Sequence, residues 1–492
     1  MKSLPRFIWC IFDGLRRDMI TPDIAPRLRS FIDAGADFPS SRCVFPSVTR
    51  VNAAAMACGA TPGATGVVAN MLYDPRVYSD KLMQTRQYDH IAQAEKVYDG
   101  RFVTAHSLGD ILADHGLKVA IVSSGSAGAT HLLDPRAAQL GNVRLCLSDW
   151  RASTPADYAA DVLERFGPIP PSAKPNATRI ELQIDMVLGA VLPEIKPDVL
   201  IVWFSDPDST YHYCGIGSPD SIAAIRHADA QFGRLLDHRT QAPDGADCQI
   251  IACSDHGLIT ARERIDVKPK MRNAGIRIGT SFSEGNVVAG STSYCGALRI
   301  AADNEASMRD VVNWLLDQPW CGPVFTSGGN GMIGGVKGTL DHALLSLTHP
   351  RTPEVYYVMK ANDTPDRWGW PGSCYFNEDA IPIGGATHGG LHPIEMNNLL
   401  ALGGSTFKQG YVSPWPAGHT DIAPTILQAF GINAPSSMTG RALTEAYSRL
   451  ATEPPQPQSV TYISESRSRR QQLNLWNVGA TTYIDRGWTE SV

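Results

Sequence analysis

Residues 7–14 read FIWCIFDG, an apolar run of six residues that ends directly in Asp13 and Gly14. A short, continuous apolar run is typical of a strand that is buried on both faces of a parallel sheet. Three further runs have this character: KVAIV (118–122), VLIVWF (199–204) and CQIIAC (248–253). Segments with helical spacing lie between them, of which residues 221–239 are the clearest. This alternation predicts an α/β fold in which helices cover both faces of a mostly parallel sheet.

The composition and charge are those of a globular protein with no evident affinity for nucleic acid. The chain has 492 residues and a formal net charge of −6, which argues against a nucleic-acid-binding surface. It does not exclude a small phosphorylated substrate, because bound metal ions can supply local positive charge. No stretch approaches the roughly 18 apolar residues of a membrane span, and residues 7–12 are too few for the core of a signal peptide. We therefore expect a cytoplasmic protein with reduced cysteines.

Acidic residues and histidines follow three of the predicted strands at the point where each strand ends. In open α/β sheets, ligands bind outside the carboxyl ends of the strands. With one later histidine in GATHGGLH, the set comprises Asp13, Asp208, His212, Asp255, His256 and His388. Three carboxylates and three imidazoles are enough for two metal ions with three protein ligands each, which leaves positions open for substrate. The spacing therefore predicts a two-metal site at one edge of the sheet.

Each of these clusters also has an ordinary structural interpretation. A single aspartate after a strand is commonly a helix cap or a turn residue. It is the occurrence of all of them at strand ends in one chain that favours a metal site. His392, four residues after His388, is an alternative ligand.

Thr49 is the candidate nucleophile. It lies in CVFPSVTRVNAAAMACG (43–59), where Pro46 breaks any preceding helix and residues 52–58 are compatible with a helix. At a helix N-terminus, free backbone N–H groups and the helix dipole favour a phosphoryl oxygen, and metal coordination can activate a threonine hydroxyl. The alternative is that Thr49 only caps the helix.

The ordered set of motifs resembles the alkaline phosphatase superfamily, and within it the nucleotide pyrophosphatase/phosphodiesterase branch. The motifs are FDGLR, FPSVTR, GATPGATGVVANMLYDP, DPDSTYHYCG, SDHG and THGG, and the resemblance covers roughly residues 6–75, 197–260 and 385–435. It implies an alkaline-phosphatase-like α/β fold and the hydrolysis of phosphodiesters or nucleotide pyrophosphates through a covalent phosphothreonine.

The resemblance also implies how the ligands divide between two metal ions. The first ion would be held by Asp13, Thr49, Asp255 and His256. The second ion would be held by Asp208, His212 and His388. Asn70, in the VAN motif, would donate a hydrogen bond to a phosphoryl oxygen. Zinc is the usual metal of the family, and the imidazole-rich ligand set favours zinc over magnesium independently.

Related activities remain as alternatives. Phosphonoacetate hydrolases place lysines after the strand that follows the nucleophile region, whereas Ser123–Thr130 contains neither Lys nor Arg. This favours diesters or pyrophosphates over phosphonoacetate. Arg50, next to the candidate nucleophile, could contact a phosphoryl oxygen and favour monoesters, or could be solvated. The basic run at residues 262–272 is expected to be an exposed loop. A phosphoglycerate-mutase-like isomerase is a remote alternative, since that family uses a serine nucleophile.

Three regions are predicted along the chain. Residues 1–258 and 386–450 form the catalytic core, and residues 259–385 form an inserted α+β cap. Residues 451–492 contain the Pro-rich linker TEPPQPQS and a tail that carries Trp476, Tyr483 and Trp488. These aromatic residues predict docking of the tail onto the body or onto a second subunit.

Overall fold

A computed structural model describes residues 6–301, 304–449, 452–466 and 469–491. Its centre is an eight-stranded sheet. In chain order the strands are β1 (Phe7–Phe12), β2 (Ala36–Asp37), β3 (Val119–Ser123), β4 (Val143–Cys146), β5 (Val199–Phe204), β6 (Gln249–Ser254), β7 (Leu400–Gly403) and β8 (Tyr411–Val412). Across the sheet they follow the order β8-β2-β7-β6-β1-β5-β3-β4. All four strands predicted from apolar runs are present, within one residue of the predicted bounds.

The five strands from β6 to β4 pair in parallel, and β7 pairs with β6 in the antiparallel direction. The register aligns the carboxyl ends of the three central strands, because Phe12 lies opposite both Phe204 and Ser254. The residues that follow these strands therefore leave the sheet at the same level, which brings Asp13 and Asp255 to one edge.

Helices cover both faces of the sheet, as the strand–helix alternation predicts. Alternate residues of β1 contribute to two separate apolar cores, since successive side chains of a strand point to opposite faces. The main helices over one face are Thr49–Cys58, Tyr88–Val97, Leu108–Asp114, Ala127–Leu133 and Ile422–Phe430. Those over the other face are Pro26–Ala34, Ala156–Phe166, Ala177–Met186 and Pro219–Gln241. The α/β fold class is thereby confirmed. No helix among the described residues combines the length and the apolar character that crossing a bilayer requires.

Residues 259–387 form two smaller sheets. The six-stranded sheet follows the order Ile278–Gly279, Val288–Ser291, Cys295–Ile300, Val355–Met359, Cys321–Thr326, Leu340–Asp341, with the helix Glu305–Leu316 beside it. The four-stranded sheet follows the order Ala361–Asn362, Ser373–Phe376, Ile259–Arg264, Ala386–Thr387. The six-stranded sheet packs onto the body, since Tyr356 donates from its hydroxyl to the carbonyl of Val68 at 3.0 Å. The division of the chain at residues 258 and 386 stays a prediction.

The basic run at residues 262–272 is not the exposed loop that its sequence suggests. It consists of the end of the strand Ile259–Arg264 and the helix Val267–Asn273. Arg264 donates to the backbone carbonyls of Glu378, Asp379 and Ile381. This arginine of the basic run therefore stabilises the region of the four-stranded sheet.

The end of the chain forms a three-stranded antiparallel sheet, called the tail sheet below, from Gln458–Glu465, Arg469–Val478 and Thr481–Ser491. Tyr483 is buried and donates from its hydroxyl to Asp421 at 2.8 Å, so the tail sheet docks onto the body. The predicted boundary at residues 450 and 451 lies outside the described residues, and assembly with a second subunit stays a prediction.

Gln471 joins the tail sheet to the six-stranded sheet and provides a test of this docking. Its buried amide accepts from the N–H of Val324 and donates to the carbonyl of Val324, both at 2.9 Å. We expect Gln471→Ala to lower the free energy of unfolding by about 1–3 kcal/mol, because it leaves two buried backbone groups without partners. Thermal denaturation followed by circular dichroism measures the change. Gln472→Ala, on the partly exposed opposite face of the same strand, is the matched control, and equal stability of the two variants would contradict the docking role.

Candidate metal centre

Asp13 and Gly14 form a tight turn directly after β1. The N–H of Asp13 donates to the carbonyl of Phe204 at 3.0 Å, and the N–H of Gly14 donates to the Asp255 carboxylate at 2.9 Å. Gly14 has a φ of +69°, and a Cβ at this position would lie 2.8 Å from the Cβ of Asp208. Only glycine tolerates both the backbone conformation and the contact, so the Asp-Gly pair after the strand is needed for the three aspartates to come together.

Asp208 and His212 lie on the helix Asp208–Cys214, which follows β5. Their spacing of four residues places them on the same helix face, with His212 Nε2 at 3.3 Å from Asp208 Oδ2. Asp206, which also follows this strand, has a different environment. It accepts from the N–H of Asn176 and from the Thr210 hydroxyl, so it organises the loop.

Thr49 is the first residue of the helix Thr49–Cys58, with Val48 in the capping position. The interpretation of Thr49 as a mere cap is therefore wrong. Its hydroxyl is buried and lies 3.2 Å from His256 Nε2. The N–H of Arg50 donates to Asn70 Oδ1 at 3.3 Å, which leaves the NH₂ group of Asn70 as the side-chain group that can donate.

The loop that carries His388 is joined to the loop that carries Thr49. His388 Nδ1 bonds to the carbonyl of Ser47 at 2.9 Å. The Ser47 hydroxyl accepts from the N–H of Gly389 at 3.1 Å and donates to the carbonyl of Gly390 at 2.9 Å. These bonds fix the position of one candidate ligand relative to the candidate nucleophile.

All three histidines present the same nitrogen to the site. Nδ1 of His212 bonds to the carbonyl of Ala386 at 2.8 Å, and Nδ1 of His256 bonds to that of Gly257 at 3.1 Å. His388 uses the carbonyl of Ser47 in the same way. A carbonyl only accepts, so Nδ1 carries the proton and each Nε2 keeps a lone pair for a metal ion.

His388 is held in the neutral form that can act as a ligand. Its ring stacks on that of His256 with the centroids 3.7 Å apart. Burial is the main cause that lowers the pKa of His388 well below its usual value. Metal ligation by histidine requires the neutral imidazole.

Three buried carboxylate oxygens at the site have no hydrogen-bond partner: Asp13 Oδ1, Asp208 Oδ1 and Asp255 Oδ2. Unpaired buried anionic oxygens are costly unless a cation balances them. Burial, with the charges of Asp255 and Asp208, raises the pKa of Asp13 well above its usual value. The donor set of unpaired carboxylate oxygens and imidazole nitrogens fits divalent cations.

The ligand atoms fall into two groups, in each of which all atoms lie within 4.8 Å of one another. One group is Asp208, His212 and His388, the set that the resemblance implies for one ion. The other is Asp13, Asp208 and His256, in which Asp208 occurs for a second time. Asp255 adjoins this group, with Oδ2 at 3.2 Å from His256 Nε2. Asp208 therefore lies between the two groups.

His392 does not join either group. Its Nε2 lies 3.2 Å from Asp363 Oδ1, so the structure pairs it with a carboxylate outside the cluster. Two further residues support the site although the sequence gives no sign of their role. Trp203 donates from Nε1 to Asp13 Oδ2 at 3.0 Å, and Ser47 connects two loops. A tryptophan within an apolar strand is interpreted as a core residue. The serine has no feature that indicates its role beyond its place in FPSVTR.

Comparison with known proteins agrees with this geometry. The protein-family model for type I phosphodiesterase / nucleotide pyrophosphatase matches residues 8–379. Two solved structures of murine ectonucleotide pyrophosphatase / phosphodiesterase 5 resemble the chain at 14% sequence identity. One, an inactive threonine-to-alanine variant in complex with AMP, has a TM-score of 0.62 and covers 90% of this chain and 100% of its own. The other has a TM-score of 0.59 and covers 87% of this chain and 96% of its own.

At this identity the two structures establish a shared fold, whereas the family model spans most of the chain. The resemblance seen in the motifs is thereby confirmed. The chain belongs to the type I phosphodiesterase/nucleotide pyrophosphatase family and is an enzyme of that type.

Proposed function

We propose that the protein hydrolyses phosphodiesters or nucleotide pyrophosphates at two divalent metal ions, with Thr49 as the nucleophile. The observation that carries this proposal is the convergence of three unpaired carboxylate oxygens and three histidine Nε2 atoms beside the Thr49 hydroxyl. One ion would be held by Asp13, Thr49, Asp255 and His256, with Asp208 close to it. The other would be held by Asp208, His212 and His388. When bound, such ions polarise the phosphoryl group and lower the pKa of a coordinated hydroxyl.

The residues of the chain supply the nucleophile and its position. Thr49 Oγ1 forms a bond to phosphorus, the bond to the leaving oxygen breaks, and the hydroxyl proton leaves to solvent. Water then attacks the phosphothreonine, the bond from phosphorus to Oγ1 breaks, and the hydroxyl is restored. The first turn of the helix Thr49–Cys58 directs backbone N–H groups towards the reacting phosphate. Asn70, whose Oδ1 accepts from the N–H of Arg50, would donate from its NH₂ group to a phosphoryl oxygen.

The segment Ser123–Thr130, which runs from the end of β3 into the helix Ala127–Leu133, supports the preference for diesters or pyrophosphates. It lies close to the site, since the Ser124 hydroxyl donates to the carbonyl of Trp203 at 3.2 Å and Trp203 contacts Asp13. The segment contains neither lysine nor arginine to balance the carboxylate of phosphonoacetate.

Metal content provides the first test. Purified protein should contain close to two equivalents of metal, with zinc as the expected ion. The Asp208→Asn variant should retain less than one equivalent of metal, because Asp208 takes part in both groups of ligand atoms. Zinc should also raise the melting temperature of chelated parent protein, since a ligand of the folded state stabilises it. Asp220→Asn, an exposed position, is the control, and equal metal content in the two variants would refute the assignment.

Substitution of Thr49 tests the nucleophile. Thr49→Ala should lose nearly all turnover while still binding metal, and Thr49→Ser should keep some activity because it retains the hydroxyl. Steady-state assays with a nitrophenyl nucleotide diester measure both, with the exposed Thr240→Ala as the control. If Thr49→Ala stays within a few-fold of the parent, the covalent mechanism is wrong.

The substrate preference is tested by comparing kcat/KM for a nitrophenyl nucleotide diester and for phosphonoacetate. This ratio measures differential binding of the two transition states. We expect the diester to be favoured. A tenfold preference for phosphonoacetate would overturn the choice of substrate and leave the assignments of the metal ligands and of Thr49 untouched.

A further inference from the structure

Arg50 is a half-buried cation with no ion pair among the described residues. Its Nε is buried and has no acceptor. Arg16, Arg136 and Arg441 are paired with carboxylates. The buried Arg144 and Arg469 donate to backbone carbonyls instead, and the buried Arg351 also keeps an Nε without a partner. Arg50 differs from these arginines in its position directly after Thr49. A buried donor without a partner costs free energy. A bound ligand that supplies an acceptor to the Nε of Arg50 would remove this cost.

The charges that act on Arg50 are those of the candidate metal centre. Burial is the main cause that lowers its pKa to about 10, and Asp13, Asp208 and Asp255 oppose this decrease. An arginine side chain keeps its positive charge at neutral pH. With metal ions in the centre these three carboxylates would be committed to the ions, and no carboxylate among the described residues forms an ion pair with Arg50.

A second arginine lies on the same side of the site. Arg86 is exposed, its charge also lowers the pKa of Arg50, and it forms no ion pair with a described residue. The hydroxyl of the preceding Thr85 donates to the carbonyl of Asn70 at 2.8 Å. The carbonyl of Arg86 accepts from the N–H of Gly128 at 3.2 Å, which places the backbone of Arg86 beside the first turn of the helix Ala127–Leu133.

Two arginines on one side of a metal centre repel each other unless an anion lies between them. The segment Ser123–Thr130 contains no charged residue, whereas Arg50 and Arg86 bring two cations close to it. Guanidinium groups match phosphate oxygens in geometry and charge. The backbone N–H of Arg50 donates to Asn70 Oδ1, so the backbone of Arg50 lies beside the residue proposed to contact the phosphoryl group.

We propose that Arg50 and Arg86 form a subsite for a second negative charge of the substrate, on or next to the reacting phosphorus. The inference rests on the proposed function and narrows it: substrates with two charges close together are preferred over singly charged diesters. The second charge can come from the neighbouring phosphate of a nucleotide pyrophosphate or from the extra oxygen of a phosphomonoester.

The test compares three substrates on zinc-loaded protein: a nitrophenyl nucleotide diester, nitrophenyl phosphate and a dinucleoside pyrophosphate. Arg50→Met and Arg86→Met each remove one positive charge, and Arg50→Lys keeps a positive charge at position 50. Arg101→Met, which removes an exposed arginine without an ion pair among the described residues, is the control. Arg50→Met should lower kcat/KM at least tenfold more for a doubly charged substrate than for the diester, with partial recovery in Arg50→Lys. A selective loss on the pyrophosphate assigns the charge to the neighbouring phosphate, and a selective loss on nitrophenyl phosphate assigns it to the reacting phosphorus.

If Arg50→Met lowers kcat/KM equally for all three substrates, or no more than Arg101→Met does, the subsite is overturned. Binding of inorganic phosphate, measured by titration calorimetry, gives a readout that does not need turnover. Phosphate should bind at least tenfold more weakly to folded, zinc-loaded Arg50→Met than to the parent, and unchanged affinity would also overturn the proposal. A parent protein that binds phosphate but hydrolyses none of the substrates would instead refute the proposed function.

Discussion

Asp13, Asp208 and Asp255 lie buried around one small volume, and each has an oxygen with no hydrogen-bond partner. Three carboxylates so placed repel one another, which is why burial and the neighbouring charges raise the pKa of Asp13. A fold that only had to be stable would not retain such a cluster, because each unpaired charge removed from water costs several kcal/mol. The arrangement becomes favourable when cations share the volume, and the three Nε2 lone pairs that face it complete a ligand shell.

The position of this cluster depends on the register of the central sheet. Asp13 and Asp255 directly follow β1 and β6, whose ends are level because Phe12 pairs with Ser254. A shift of one residue would move an aspartate by roughly 3.3 Å and would turn every buried side chain of the strand to the opposite face. Since β1 is buried on both faces against two apolar cores, its register is strongly specified. The same apolar residues that make the strands recognisable in the sequence therefore position the ligands.

This connection explains which features could be predicted from the sequence. The central strands and the ligands at their ends follow from local patterns, such as the apolar run Phe7–Phe12 followed by Asp13. The proximity of Asp208 to both groups depends on how its helix packs against Gly14, a contact between distant segments. The pairing of Trp203 with Asp13 has the same origin. Charged residues dominate the run at residues 262–272 and suggest an exposed loop, whereas the buried positions Val267 and Met271 have the spacing of the helix that its second half forms.

Charge balance links the site to its substrate. Two divalent ions would bring four positive charges against the three negative charges of Asp13, Asp208 and Asp255, so a loaded centre would carry excess positive charge before Arg50 is counted. The chain as a whole is acidic, with a net charge of −6. Attraction for a phosphorylated substrate is thus local and would arise only with the ions in place. Arg50, half-buried beside such a centre, would add to the excess, and an anion between it and the ions would offset the repulsion. The unsatisfied Nε of Arg50 next to Thr49 is therefore the feature of the chain that favours binding of a multiply charged phosphate at this site.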